Sequence, residues 1–270
     1  MSKIHINVIG GGNMGLTYAL ALQENSAEFE VSITEKNPDT KARLESETSF
    51  KIYEEFEKAS AAQKPDYILL AVKPQVAIDV FKQISSYLQP DQVVVSIMAG
   101  ITLDQLSKGL PQITKLARAM PNLPSQIQKG VTGFVASKGL DSSEREKVIT
   151  ILSSTGIVIA LDNEDQIDKI TALSGSGPAY VFYFMEALSK KAESWGFNKD
   201  QAKEIAVNTF LGSVLQYSKS SLDLKTLIDQ VSSKGGTTEA ALRRFSSHNI
   251  SHNIEEGIDK AYLRAKELGN

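Results

Sequence analysis

Gly10, Gly12 and Gly15 follow an apolar, β-branched run (residues 4–9) and open a stretch of helical periodicity (14–25). In that setting a G-x-G-x-x-G spacing has a physical reading. Gly10 permits a tight turn, Gly12 lets a pyrophosphate approach the backbone, and Gly15 allows close packing of helix on strand, while the unpaired N–H groups of the helix start face the phosphates. Gly11, Asn13 and Met14 complete the turn. The next β-like run (31–34) ends at Glu35, twenty residues past Gly15, where an acid accepts hydrogen bonds from a ribose. Glu35 suits a free 2′-hydroxyl and the adjacent Lys36 suits a 2′-phosphate, so a nicotinamide dinucleotide is expected, NADH or NADPH, with the choice left open.

A second candidate lies far along the chain, at Ser233-Lys234-Gly235-Gly236-Thr237-Thr238-Glu239. Two glycines and two threonines open a helix there, so backbone N–H groups and two hydroxyls converge at the positive end of a helix dipole. Such a nest fits a small carboxylate, although a plain Thr cap has the same spacing. Three further segments sit just past β-like runs, where open parallel sheets bind ligands: Ala71-Val72-Lys73-Pro74, Met98-Ala99-Gly100, and Met120-Pro121-Asn122-Leu123-Pro124. Leu173-Ser174-Gly175-Ser176-Gly177-Pro178-Ala179-Tyr180 puts a Pro in a first helical turn, and the apolar 180–184 that follows is expected to be buried. His248 and His252 stand four apart but without the acidic neighbour of an H-E-x-x-H site, in a stretch (246–253) that reads as a polar helix start; no metal is expected.

The elements that carry these residues divide the chain. Runs at 4–9, 31–34, 66–72, 92–97 and 113–117 are apolar on both faces and alternate with helical stretches at 14–25, 76–88 and 103–108. That pattern predicts a doubly wound, mostly parallel sheet covered on both sides, an α/β fold of the Rossmann type. Runs at 131–136 and 156–161 flank a helix at 142–153 and extend the sheet. After Asp162 the β-branched runs stop and helices at 179–195, 199–218 and 254–268 take over, so the expected division is a dinucleotide-binding domain, 1–162, and an all-helical domain, 163–270. The small and apolar faces of the helical part (Ala202, Ala206, Phe210, Leu211, Val214) exceed what such a domain needs alone and point to an oligomer interface.

Composition removes other classes. The 270 residues include no Cys, so thiol nucleophiles, iron–sulfur clusters and cysteine-ligated zinc are excluded. With 29 Lys and Arg against 32 Asp and Glu, interspersed in sign, there is no basic stripe for a phosphate backbone, and nucleic acid is not an expected partner. Neither the start of the chain nor any apolar run is long enough for a signal peptide or a bilayer span; a soluble cytoplasmic protein without membrane partners is expected.

In combination, Gly10-Gly11-Gly12-Asn13-Met14, Ala71-Val72-Lys73-Pro74, Met120-Pro121-Asn122, 173–180 and Gly235-Gly236-Thr237-Thr238 resemble the pyrroline-5-carboxylate reductase family over essentially the whole chain. The resemblance implies NAD(P)H-dependent reduction of the cyclic imine 1-pyrroline-5-carboxylate to L-proline, the last step of proline biosynthesis, by a homodimer that interleaves its helical domains and can assemble into rings. It would put the cofactor phosphates on Gly10 to Met14, the adenosine end near Glu35, Lys36 and Ala71 to Lys73, and the nicotinamide end near Ala99, Met120 and Asn122. The substrate carboxylate would lie on the backbone and hydroxyls of Gly235, Gly236, Thr237 and Thr238 beside Ser233, with the Thr238 hydroxyl at the ring nitrogen and Glu164 beside the pocket. The chain departs from the family pattern at Leu123, where Thr is usual, at Lys234, where Pro is usual, and in lacking an Asn within 51–58; these bear on cofactor preference and loop rigidity. Hydride transfer to a protonated imine needs orientation more than a strong acid, which a threonine can serve. A β-hydroxyacid dehydrogenase would need a Lys on the helix after 173–178, where this chain has Tyr180, Val181, Phe182, Tyr183 and Phe184. A non-catalytic paralogue with a regulatory role is the competing reading from another class.

Overall fold

The structure, a computed structural model, describes residues 3–269. The first elements are β1 (Ile4–Ile9), α1 (Asn13–Glu24), β2 (Phe29–Thr34), α2 (Pro38–Glu47), β3 (Lys51–Tyr53), α3 (Phe56–Ala62) and β4 (Tyr67–Leu70). They are followed by α4 (Ala77–Ile84), β5 (Val93–Ser96), α5 (Leu103–Gly109), β6 (Leu116–Met120), β7 (Gly130–Ala136), α6 (Ser142–Ser153) and β8 (Gly156–Ala160). Among the described residues only helices follow: α7 (Glu164–Ile170), a π turn (Thr171–Gly175), α8 (Gly177–Ser194), α9 (Lys199–Lys219), α10 (Leu224–Val231), α11 (Thr237–Ser247) and α12 (Ile250–Gly269).

The strands form one sheet in the order β3-β2-β1-β4-β5-β6-β7-β8. All neighbours are parallel except β6 and β7. The mostly parallel, doubly wound architecture expected from the sequence is thus present. Both faces are covered, which is why apolar residues dominate the strands on both sides. Ile6, Val8, Ile33 and Val95 pack in one cluster with Tyr18 and Leu22 of α1 and Val148 and Ile151 of α6; Ile9, Ile68, Leu70 and Val94 pack in another with Phe81 of α4 and Leu106 of α5. Helix starts are locally encoded. Asn37 caps α2, with Pro38 in its first turn, and reciprocal capping boxes open α5 (Thr102 with Gln105), α6 (Asp141 with Glu144) and α9 (Asn198 with Gln201).

Some expectations shift. The strand placed at 113–117 is β6, Leu116–Met120, because Ile113 closes a turn onto the Leu110 carbonyl and is buried there without being in the sheet, while Arg118 interrupts the apolar pattern inside the strand. The stretch 246–253 is not one helix start: α11 ends at Ser247, Asn249 takes a left-handed φ of 52°, and α12 begins at Ile250. By contacts the chain falls into two units, Gly177–Lys260 and the remainder. The remainder includes α7, which packs on the sheet: Ile167 is buried and Ile170 lies over Gly133 of β7. The end of α12 is tied to α7 within the same unit. Tyr262 donates to Asp165 at 2.6 Å, and Lys169 and Lys266 stand over the Tyr262 ring; the Lys169 and Tyr262 hydrogen bonds hold the Asp165 carboxyl down to about 2. In the second unit the run expected to be buried is not covered by its own chain: Phe182 is 54% and Tyr183 70% exposed.

A polar seam runs between β1 and β2. His5 Nε2 meets Ser32 Oγ at 2.9 Å, Asn7 donates to the same hydroxyl at 2.9 Å, and Thr34 donates to Asn7 at 3.0 Å. Burial lowers the His5 pKa from its ordinary 6.5, only partly opposed by the Lys64 carbonyl and by Glu30 and Asp66. The folded state therefore holds this proton less tightly than the unfolded chain. The stability that goes with neutral His5 is fully present above 6.5 and is lost as pH falls from there through the lowered native value. Thermal midpoints followed from about pH 8 to about pH 5 should fall more steeply for the parent than for His5→Gln; parallel curves would remove His5 as the cause.

Candidate active site

The turn after β1 is sterically prescribed. Gly10 has φ +104°, and a Cβ on it would lie 2.8 Å from the Ala71 carbonyl oxygen at the end of β4. A Cβ on Gly15 would lie 1.9 Å from the Gly10 carbonyl oxygen, so α1 approaches β1 as closely as it does only because residue 15 lacks a side chain. Gly12 differs: it is the N-cap of α1, no side chain caps the helix, and a Cβ there would meet nothing within 4 Å. That open, uncapped helix start, with Asn13 and Met14 in its first turn, fits the pyrophosphate of a dinucleotide.

A cavity of about 990 Å³ adjoins this turn and is lined by Gly10, Gly12, Glu35, Lys36 and Ala71 to Lys73 among others. The structure therefore brings together most of the expected phosphate and adenosine contacts. Gly11 is buried behind them and donates to Glu35 Oε2 at 2.7 Å. Ala99 and Asn122 lie beyond the carboxyl ends of β5 and β6, and Met120 is the last residue of β6; all three are outside the cavity lining. Asn122 is less free than the sequence suggests. Its Oδ1 accepts the Val131 N–H at 2.9 Å, and its Nδ2 lies 3.1 Å from the Ser174 carbonyl and 3.0 Å from the Ser174 hydroxyl. It ties β6, β7 and the π turn together beside Met120, whose methyl group packs on Gly175.

Sequence reasoning missed the charged group under this edge. Arg118 is 2% exposed and donates to Glu164 at 2.9 Å and Asp168 at 3.1 Å. Glu164 Oε1 also accepts the Leu103 N–H at 2.9 Å, an amide in the first turn of α5 with no intrahelical acceptor. Glu164, expected beside the substrate, thus has a structural engagement of its own in the first unit. Arg118 follows directly on the run expected at 113–117, and only its place inside β6 makes it a buried cation that demands acids.

In the second unit the N-cap of α11 is Gly236, which has no side chain with which to cap the helix. Gly235, at φ +75°, turns the chain into it. Two of the expected amides are engaged internally: the Gly235 N–H donates to Glu239, which also pairs with Arg243 at 3.1 Å, and the Gly236 N–H donates to the Ser233 carbonyl at 2.9 Å. The N–H groups of Thr237, Thr238 and Glu239 are the first-turn amides left without intrahelical acceptors. Among the described residues no group of three or more His, Cys, Asp or Glu could hold a metal ion, and no helix is long and apolar enough to cross a membrane.

A parallel sheet with its order reversing at β1, a glycine-prescribed turn and an uncapped helix start at that switch point define a dinucleotide-dependent oxidoreductase of the Rossmann class. Comparison with known proteins narrows the class. The family model for pyrroline-5-carboxylate reductase dimerisation matches residues 164–268, and that for NADP oxidoreductase coenzyme F420-dependent matches residues 5–100. The chain is 32% identical to pyrroline-5-carboxylate reductase of Pseudomonas aeruginosa over 99% of its length and 98% of the relative's, and 34% identical to that of Vibrio alginolyticus over the same shares. Among solved structures it matches a pyrroline-5-carboxylate reductase from Coxiella burnetii at TM-score 0.90 and 32% identity, covering all of both chains. A pyrroline carboxylate reductase from Plasmodium falciparum with NADP bound matches at TM-score 0.87 and 25% identity, again over all of both chains. The chain belongs to the pyrroline-5-carboxylate reductase family.

The glycines separate folding from binding. Gly15→Ala should cost about 1–3 kcal/mol of stability through overpacking, whereas Gly12→Ala, whose added carbon meets no protein atom, should leave the thermal midpoint in place and weaken dinucleotide binding. Unfolding curves together with calorimetric titration of the cofactor would show whether the two effects part in this way.

Proposed function

We propose that this chain reduces 1-pyrroline-5-carboxylate to L-proline with NADH or NADPH, the closing step of proline biosynthesis. The observation that carries the reading is the presence in one chain of a dinucleotide turn at 10–15 and a bare Gly-Gly-Thr-Thr helix start at 235–238, in a family member related over its full length. The reduced nicotinamide, when bound, supplies a hydride. The hydride adds to the imine carbon, the C=N π pair moves to the protonated nitrogen, and a secondary amine results. What remains for the protein is placement. Gly10, Gly11, Gly12, Asn13 and Met14 hold the phosphates; Glu35, Lys36, Ala71, Val72 and Lys73 hold the adenosine end; Ala99, Met120 and Asn122 border the nicotinamide end, Asn122 by fixing the π turn.

On the substrate side, the free amides of Thr237 and Thr238 and the dipole of α11 take the carboxylate. Gly235, Gly236 and Ser233 shape the turn that presents them, and Glu164 borders the pocket. The Thr238 hydroxyl serves the ring nitrogen, keeping the protonated imine and the nascent amine hydrogen-bonded without a strong acid. Residues 1–162 and 163–270 act in this reading as the cofactor and the substrate and dimerisation domains. The working form is a cytoplasmic homodimer, in which a second copy covers the apolar faces of α8 and α9, with rings of dimers as the larger assembly; nucleic acid and membrane have no part in it.

Oxidation of NADH or NADPH on adding racemic pyrroline-5-carboxylate tests the reaction directly, and its absence in a protein that binds cofactor would refute it. Thr238→Ala should lower kcat by about ten- to a thousandfold with cofactor affinity retained, and Thr238→Ser should restore much of the rate. Sedimentation at micromolar concentration should give a dimer or larger species; a monomer would contradict the assignment of the exposed faces.

A further inference from the structure

The adenosine end of the dinucleotide cavity is walled by carboxylates. Glu35 and Glu54 stand at the carboxyl ends of the neighbouring strands β2 and β3, joined directly where the Glu35 N–H donates to the Tyr53 carbonyl at 2.8 Å. Glu55 and Glu57 line the same cavity. Its remaining charges are Asp79 and Lys82, which pair with each other at 3.9 Å, and the two exposed lysines Lys36 and Lys73.

Glu35 is held in place by backbone. Its Oε2 accepts the Gly11 N–H at 2.7 Å and its Oε1 accepts the Asn37 N–H at 2.7 Å, so the carboxylate is fixed between the glycine-rich turn and the start of α2. Each oxygen keeps lone-pair capacity for a further donor. A ribose with free hydroxyls supplies such donors at this place in the fold. A 2′-phosphate supplies none; it brings negative charge against a carboxylate that two backbone bonds prevent from swinging away, in a cavity lined by three more, of which Glu55 pairs with Lys58 at 3.7 Å. The same Glu35–Asn37 bond closes the turn that carries Lys36, and Lys36 is left exposed.

We propose that this chain selects NADH over NADPH, with the immobilised Glu35 as the determinant and Glu54, Glu55 and Glu57 as a repulsive background. The inference rests on the reading of the chain as a nicotinamide-dependent reductase and settles which nicotinamide cofactor that reductase takes. It is tested on the full-length protein by calorimetric titration with NAD+ and with NADP+, no imine being present. NAD+ should bind about tenfold or more tightly than NADP+, and equal or tighter NADP+ binding overturns the proposal. Glu35→Ser should bring the two affinities to within about threefold; an unchanged ratio removes Glu35 as the determinant. Should that variant fail to fold, Glu54→Gln/Glu55→Gln/Glu57→Gln keeps the Glu35 bonds and should raise NADP+ affinity relative to NAD+ by about threefold, no change overturning the background role. The titration is independent of turnover. Absent imine reduction with NAD+ selectivity intact strikes the reaction and leaves the selectivity; a preference for NADP+ with imine reduction intact does the reverse.

Discussion

The Gly10 carbonyl occupies the space that a side chain on residue 15 would need, and the first unit is organised around that contact. It draws the start of α1 against the end of β1, next to β4, where the strand order reverses. Because α1 enters so close, its first-turn amides open at the carboxyl edge of the sheet, and the loops after β4, β5 and β6 border one edge. A helix set farther out would still satisfy its internal hydrogen bonds. It would not present amides to a ligand lying along the strand ends.

A loop edge needs stiffening from below, and here the devices are polar. Arg118 sits inside β6 and holds both acids of α7, while Glu164 also stops an orphan amide of α5. One guanidinium thereby fixes the helix that leads out of the Ala99 loop and the helix that leads into the π turn. Asn122 fastens the π turn from the other side. The Ala99–Gly100 loop has a third support, because Gly100, at φ +76°, lies where a side chain would run into the Leu268 carbonyl of α12. Buried ion pairs add little net stability over apolar packing, yet breaking one leaves an uncompensated charge.

Local rules expose some of these features in the sequence and hide others. The sheet was readable because its strands are short runs dominated by Val, Ile and Leu, and the dinucleotide turn because its glycines keep a fixed spacing directly after the first of them. β3, α2 and α3 escaped because they are short and polar: α2 buries only Leu44, and β3 is a three-residue edge strand. The Arg118 group is invisible to any local rule, since its acids lie 46 and 50 residues away. Asn122 drew notice for its place after a strand; that it is a tie was hidden because its partners are Val131 and Ser174. Glu35 presents the converse case. Its spacing from the glycines was plain, but its spacing left Lys36 as an equal competitor; only the two backbone N–H groups that pin the carboxylate separate the neighbours.

The helical unit obeys local rules and fails global ones, and that mismatch is informative. α9 and α10 have well-formed side-chain caps, so their ends are specified by neighbouring residues. Yet α9 buries only Ala202 and Ala206, α10 and α11 bury nothing, and Val214 is 62% exposed. Caps contribute about 1 kcal/mol each, far short of the conformational entropy of ordering such a segment. Helices that are individually encoded but collectively uncovered derive their stability from what covers them. A matching family model for dimerisation spanning 164–268 agrees with the direction of that deficit. The Thr237–Thr238 turn starts one of these uncovered helices, so its shape depends on whatever covers α11 as well as on its own sequence.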